Sequence, residues 1–138
     1  MNTIAHSLTG LANFALYFAI ALALLLIFKV IYTAITPHDE WKLVKEEKNT
    51  AAATGLAGAI IGFALALGSA ASNSVSLIDF VIWGVVALIA QLIAFAIVRF
   101  IFMPKIVERI NHNEVSAGIM LAGMSVAVGL LNAACMTY

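Results

Sequence analysis

Four long apolar runs, separated by three shorter polar stretches, dominate the pattern of hydrophobic and polar positions along this chain. The runs extend over about residues 12–34, 49–71, 78–100 and 113–134. Each run is close to the roughly 20 apolar residues that a helix needs to cross the hydrocarbon core of a bilayer. The pattern therefore predicts an all-α membrane protein with four transmembrane helices, which we number spans 1 to 4 in chain order.

The composition indicates a membrane environment for the whole chain. Of the 138 residues, 64% are hydrophobic and 10% are charged, and the mean hydropathy is +1.08. Soluble domains carry about a quarter charged residues, so a water-soluble fold is excluded. The formal net charge is +0, which provides no overall basic field for nucleic acid. We expect the lipid bilayer as the environment and no nucleic-acid partner.

Glycine and other small residues recur at steps of three or four positions in spans 2 and 4. At this spacing they form one ridge on a helix, along which the backbone of another helix can approach closely. We predict that the two ridges form helix contacts, either within the bundle or between protomers of a homo-oligomer. The predicted helix-packing residues are Gly55, Gly58 and Gly62 in span 2, and Gly118, Ala122 and Gly129 in span 4.

The two halves of the chain carry the same series of features. Span 2 opens with Asn49 and span 4 opens with Asn113, and a polar stretch that contains proline precedes each of these spans. The pattern predicts a duplication within a single membrane domain, with repeat one at about residues 12–71 and repeat two at about 78–135. Because each repeat holds two spans, both cross the membrane in the same direction, as two parallel two-helix repeats.

Two polar stretches join the spans within each predicted repeat: connector 1, residues 36–49, and connector 2, residues 103–114. In each connector a proline is followed by a short amphipathic segment, which we predict to be an interfacial helix in connector 1 and an amphipathic turn in connector 2. We predict that Asn49 and Asn113 cap spans 2 and 4, because an asparagine side chain can accept from the orphan amides at a helix start. The alternative is a ligand-binding pair.

The basic residues are segregated to one side of the predicted bundle. All seven lie at or in the two connectors: Lys29, Lys42, Lys45, Lys48, Arg99, Lys105 and Arg109. Lys and Arg in short loops bias those loops toward the cytoplasm. We therefore predict cytoplasmic connectors and periplasmic termini.

Four peptides carry a resemblance to a known family: TPHDEW at 36–41, NTAAA at 49–53, NHN at 111–113 and NAACMTY at 132–138. With them, the whole chain resembles the YjfL-like bacterial inner-membrane proteins, the domain-of-unknown-function family numbered 350. The resemblance covers all four spans. It implies a small, multi-pass protein of the bacterial inner membrane, built from two related halves, in a cell-envelope context. It supplies no activity and no functional residues.

Histidine and carboxylate side chains in the connectors are the candidate metal ligands. His38, Asp39 and Glu40 in connector 1, with His112 and Glu114 in connector 2, offer imidazole and carboxylate groups of the kind that bind zinc or another first-row metal. Their spacing matches no recognised metal motif. We therefore interpret them as solvated caps and loop residues, and we expect no metal and no cofactor.

The polar residues inside the spans are Thr54, Gln91, Ser125 and Asn132. They are either partners in hydrogen bonds between helices or the lining of a path. Gln91 lies near the middle of span 3, where an amide in hydrocarbon needs a partner on another helix, and span 4 is the candidate. No Asp, Glu, Arg or His lies at mid-membrane in the sequence, which argues against a proton-coupled transporter.

The sequence contains no motif that indicates catalysis. G-x-S-x-G, H-E-x-x-H and phosphate-loop patterns are all lacking, so we do not expect an enzyme. We expect the only cysteine, Cys135, to serve as inert packing. The leading hypothesis is a structural or scaffold component of the cell envelope that self-associates and docks a cytoplasmic partner. The alternative is a small-solute or ion conduit formed by an oligomer.

Overall fold

The computed structural model describes residues 2–35 and 40–136, except for the side chains of Asn2, Glu40 and Trp41. Every element within this part of the chain is a helix. The helices are α1 (Asn2–Ile35), α2 (Glu40–Lys45), α3 (Thr50–Asn73), α4 (Leu77–Ile97), α5 (Ile106–Asn111) and α6 (Val115–Cys135). Four of them, α1, α3, α4 and α6, are long and apolar enough to cross a membrane, which confirms the predicted all-α architecture. His38 and the rest of residues 36–39 lie outside the described residues.

Helix α1 begins at Asn2, well before the predicted start of span 1 near residue 12. Proline does not interrupt this segment, and its one glycine, Gly10, costs a helix only about 1 kcal/mol. Its 34 residues give a length of about 51 Å, against a hydrocarbon core of about 30 Å. Gly10 and Tyr17 flank the end of α3 at Ala71, so the first turns of α1 project beyond the turn between α3 and α4.

Helices α3 and α6 run side by side in the same direction. Near their starts, the side chain of Asn113 bonds to the backbone amide of Ala51, and near their ends the Ser69 hydroxyl donates to the Ala133 carbonyl, with the Ser69 Oγ to Ala133 O distance at 3.0 Å. The two contacts, at opposite ends of the helices, have nearly equal sequence offsets of 62 and 64 residues, so the helices are parallel. We call this contact the α3–α6 junction.

Glycine allows the α3–α6 junction to form. A Cβ atom on Gly62 would overlap the Ser125 carbonyl, and a Cβ on Gly129 would overlap the Gly62 carbonyl. Gly118 faces the Ala51 carbonyl in the same way, and Gly58 faces Ala122. Without side chains at these positions the two backbones touch, as small-residue motifs permit in membranes.

Aromatic side chains attach α1 to the rest of the bundle. Phe28 stacks on Phe63 of α3, with ring centroids 4.5 Å apart, and Tyr17 stacks on Phe80 of α4 at 5.3 Å. Tyr32 meets Phe95 of α4 edge to face at 5.8 Å. Ring pairs in these geometries contribute about 0.5–1.5 kcal/mol each beyond the area that they bury. α1 is therefore held by side-chain contacts, whereas α6 is held by backbone contact.

The short helices α2 and α5 dock their apolar sides on the bundle. Leu43 of α2 is buried and Val44 is half-buried, while Ile106 and Ile110 of α5 are fully buried. Burying side chains of this size contributes about 1.5–3 kcal/mol each. The two helices therefore lie against the ends of the spans, and Lys42, Lys45 and Glu108 face outward.

The end of the bundle away from α2 and α5 carries the capped start of α4 and the exposed Cys135. Ser76 caps α4 by accepting from the Asp79 amide, and the Asp79 carboxylate accepts from the Val75 amide, as in a capping box. Cys135 at the end of α6 is exposed, so it does not pack in the core of this protomer as expected. The residue falls outside the core because α6 buries only the side that faces α3 and α4.

We predict that Gly62→Ala lowers the stability of the protein, because the added methyl group would overlap the Ser125 carbonyl and lie 2.9 Å from Gln91 Nε2. Overpacking of this kind costs about 1–3 kcal/mol in the free energy of unfolding. Thermal unfolding in detergent measures the change. Gly68→Ala is the matched control in the same helix, because a Cβ on Gly68 meets no atom within 4 Å. Equal melting temperatures for the two variants would mean that the α3–α6 junction does not limit stability.

Candidate functional site

Asn49 joins the two connectors at the start of α3. Its side chain is only 5% exposed, and Asn49 Oδ1 accepts a hydrogen bond from the Ala52 amide at 2.8 Å. Its Nδ2 donates to the carbonyl oxygen of Ile110, the buried residue of α5, at 2.7 Å. One buried amide therefore caps α3 and binds connector 2 to connector 1.

Asn113 caps the neighbouring helix instead of its own, so the prediction that it caps span 4 is wrong. The N-cap residue of α6 is Glu114, whose side chain makes no capping bond. Asn113 precedes it with a left-handed backbone, φ 57, and its Oδ1 accepts from the Ala51 amide of α3 at 3.0 Å. Asparagine tolerates this conformation better than most residues. The rotation of the backbone turns the amide away from α6 and toward α3.

The two asparagines together satisfy orphan amides of α3 alone. Lys48 occupies the position before the α3 cap that Asn113 occupies before the α6 cap, and it too is left-handed, with φ 52. Structurally, Asn113 therefore corresponds to Lys48, one position away from the correspondence with Asn49 that the sequence suggests. Because of this one-residue shift, the Asn113 side chain of connector 2 bonds to α3 and not to α6.

Connector 2 also carries an exposed ion pair. Arg109 Nε lies 2.9 Å from Glu114 Oε2, with the side chains 38% and 48% exposed, and exposed pairs of this kind contribute about 0–1 kcal/mol. Both residues line an open depression of about 220 Å³ together with Glu108 and His112. This depression faces water and not the spans.

The residues proposed as metal ligands do not form a cluster in the described part of the chain. His112 and Glu114 border the same depression, whereas His38 and Asp39 lie outside the described residues. Within residues 2–35 and 40–136, no group of three His, Cys, Asp or Glu side chains is arranged to hold a metal ion.

A second polar contact lies at mid-span. Gln91 of α4 is fully buried, and Gln91 Nε2 donates to the backbone carbonyl of Ser125 of α6 at 3.0 Å. The structure thus provides the amide with a partner on span 4. Gly62 leaves the space that this bond needs, because a Cβ there would approach both groups. The contact joins α4 to the α3–α6 junction.

The other intramembrane polar residues lie apart from this contact. The Thr54 hydroxyl donates to the Thr50 carbonyl in its own helix, at 2.8 Å. Asn132 is half-buried near the end of α6, and its Nδ2 has no hydrogen-bond partner among the described residues. The four residues therefore do not form one continuous polar line.

Sequence reasoning missed the residues that hold α1. Phe28 and Tyr32 are fully buried, and their spacing of four places them on one face of α1. That spacing was the available signal, although an apolar helix offers aromatic residues on several faces. The carbonyl of Ile110 had no signal at all, because its role depends on where connector 2 meets α3.

Four long apolar helices, a glycine-based helix junction and a buried amide bonded between two spans define a multi-pass, all-α membrane protein. The family model that matches residues 6–136 is described as Domain of Unknown Function (DUF350). The chain belongs to this family.

Curated relatives place the family in the bacterial inner membrane. The chain is 44% identical over 133 residues to UPF0719 inner membrane protein YjfL of Escherichia coli strain K12, over 96% of this chain and 99% of that protein. It is 26% identical over 125 residues to UPF0719 transmembrane protein YshE of Bacillus subtilis strain 168, over 90% and 92%. No solved structure gives a significant match. The protein is a multi-pass inner-membrane protein.

We predict that Asn49→Ala destabilises the protein more than Asn113→Gly, because glycine keeps the left-handed backbone of residue 113 and removes only its side chain. Loss of one capping bond lowers the free energy of unfolding by about 1 kcal/mol. Asn49→Ala also removes the hydrogen bond from Asn49 Nδ2 to the Ile110 carbonyl, which lowers the free energy of unfolding by about 1 kcal/mol more. Thermal or chemical unfolding in detergent measures both. Asn111→Ala, at an exposed position of connector 2, is the control and should have little effect on stability. If Asn49→Ala behaves like this control, the link between the connectors contributes nothing to stability.

Proposed function

We propose that this protein is a structural component of the bacterial inner membrane, which self-associates and presents its two connectors to the cytoplasm as one docking surface for a soluble partner. The observation that supports this proposal is a pair of hydrogen bonds, in which Asn49 Nδ2 donates to the Ile110 carbonyl and Asn113 Oδ1 accepts from the Ala51 amide. They hold the connectors together at the same end of the bundle. Two loops that were only solvated would not need a shared, buried contact.

The orientation follows from the basic residues. The described Lys and Arg residues belong to the connectors or to the ends of the helices that lead into them, where Lys29 lies near the end of α1 and Arg99 lies in the π-helical turn after α4 (Val98–Phe102). The turn between α3 and α4 carries no basic residue, and the first turn of α4 carries Asp79. By the positive-inside rule the connectors are cytoplasmic and both termini are periplasmic.

The docking surface carries charges of both signs. Its exposed members are Lys45, Glu46, Glu47 and Lys48 in connector 1, and Lys105, Glu108, His112 and Glu114 in connector 2. A mixed pattern fixes the orientation of a complementary protein partner and disfavours partners with the wrong arrangement of charges. It gives little attraction for nucleic acid, which would need an excess of positive charge.

Self-association is proposed through the outer side of the α3–α6 junction. A groove of about 570 Å³ opens there toward the lipid, and Ala57 of α3 and Gly123 of α6 line it with exposed small residues. A Cβ on Gly123 meets no atom within 4 Å in this protomer, so the position has room for another helix. A second copy is the proposed occupant, because small residues favour close approach of helices in lipid.

A non-catalytic role is part of the proposal, because the sequence has no catalytic motif. The conduit is retained as the second candidate because of the buried polar groups of Gln91 and Ser125. A path between α3 and α6 of one protomer would have to pass backbones that touch at Gly58, Gly62 and Gly129. A conduit would therefore have to run between protomers.

We predict opposite labelling of the two ends of the bundle by a membrane-impermeant maleimide. The background is Cys135→Ser, since Cys135 is the only cysteine and is exposed. Ser74→Cys, in the turn between α3 and α4, should react in cells whose outer membrane alone is permeabilised. Lys45→Cys should react only after the inner membrane is opened. The reverse result would invert the topology and remove the docking proposal.

We predict two different products from in-cell photocrosslinking. A photoreactive residue at Lys45 should capture a discrete cytoplasmic protein, and one at Gly123 should capture a second copy of the chain. Val75, 81% exposed at the other end, is the control and should capture neither. If Lys45 captures nothing, and reconstituted protein conducts ions in a way that Gln91→Leu or Asn132→Leu alters, the conduit replaces the scaffold.

A further inference from the structure

Ser125 differs from other hydroxyl residues in the long helices. The hydroxyls of Thr9, Thr33 and Thr54 each donate to the carbonyl four residues earlier in their own helix, at 2.8–3.0 Å. This back-bond is the usual way to satisfy a hydroxyl inside a helix. Ser125 Oγ does not make it, although the residue is fully buried, and it has no partner among the described residues. Its hydroxyl is directed to something other than its own helix.

Gln91 carries the complementary group. Its Nε2 is fixed by the bond to the Ser125 carbonyl, at 3.0 Å, and this bond holds the whole amide against residue 125. Gln91 Oε1, on the same amide, is buried and has no partner within the described residues. A donor from Ser125 and an acceptor from Gln91 therefore border the same contact between α4 and α6.

The contact lies close to the middle of the bilayer. Gly62, which faces both groups, is midway along α3, between Thr50 and Asn73. Lipid chains supply no hydrogen bonds at this depth, and a buried polar atom there needs a partner within the protein interior. Water is the smallest molecule that can both donate to Gln91 Oε1 and accept from the Ser125 hydroxyl.

We propose that Gln91 and Ser125 form a hydration site at the bilayer midplane, which holds one water molecule between Gln91 Oε1 and Ser125 Oγ. Buried waters in proteins bridge otherwise unsatisfied polar groups in this way. The site is independent of the docking surface and of self-association. It makes the α4–α6 contact a hydrated one, whereas the α3–α6 junction excludes water through direct backbone contact.

Solid-state NMR in lipid bilayers tests the site directly. Gln91 is the only glutamine in the chain, so selective ¹⁵N-glutamine labelling yields one side-chain amide signal and one backbone amide signal, both from the same depth. The side-chain signal should receive magnetisation from water protons several-fold faster than the backbone signal. Equally slow transfer to both signals would overturn the proposal.

Two variants separate bound water from a direct contact between the side chains. Ser125→Ala removes one partner of the water, so transfer to the Gln91 side chain should fall several-fold. Thr54→Val is the matched control, because the Thr54 hydroxyl bonds within its own helix, and it should leave the transfer unchanged. If the wild-type protein shows slow transfer and Ser125→Ala shifts the Gln91 side-chain resonance, the hydroxyl bonds the amide directly and the site holds no water.

Discussion

The close backbone contact between α3 and α6 is the interaction on which the rest of the structure depends. Lipid provides no hydrophobic drive for helices to associate, so association relies on dispersion and on close approach. Glycines at 58, 62, 118 and 129 allow that approach along most of the helix length. Because the two helices are parallel and in register, their starts lie at the same level. This register brings Asn113 to the Ala51 amide and Ile110 to Asn49.

The same contact divides the bundle into a central pair and two outer helices with different attachments. α4 packs on the α3–α6 pair through Gln91 and through its buried alanines and phenylalanines. α1 is held by Phe28 and Tyr32, and its first turns are exposed. α1 and α4 are equivalent in the predicted duplication, yet α4 bonds to α6 through Gln91 whereas α1 packs on its neighbours through aromatic rings. The duplication stays a prediction, and the two halves contribute unequally to packing.

The parts of the fold that depend on local properties were predictable. The spans follow from length and hydropathy, and the need of Gln91 for a partner follows from the low polarity of its surroundings. The extension of helix α1 ahead of span 1 was not predicted because polarity was interpreted as the end of the span, although Thr9 satisfies its hydroxyl within the helix. Asn113 caps α3 instead of α6 because of the register between these two helices and the left-handed backbone of Asn113 itself. Neither feature can be inferred from the local sequence.

The arrangement of connector 2 links α4 mechanically to the start of α3. α4 ends in the π-helical turn Val98–Phe102, where the Met103 amide bonds to the Val98 carbonyl, and α5 follows within a few residues. α5 is bound at Ile110 by Asn49, the N-cap of α3. A displacement of α4 relative to α3 must therefore break this buried bond or be absorbed between Val98 and Ile110, where the π-helical turn is a rarely formed geometry. The hydrogen bond from Asn49 thus couples the end of α4 to the start of the tightly packed α3–α6 junction.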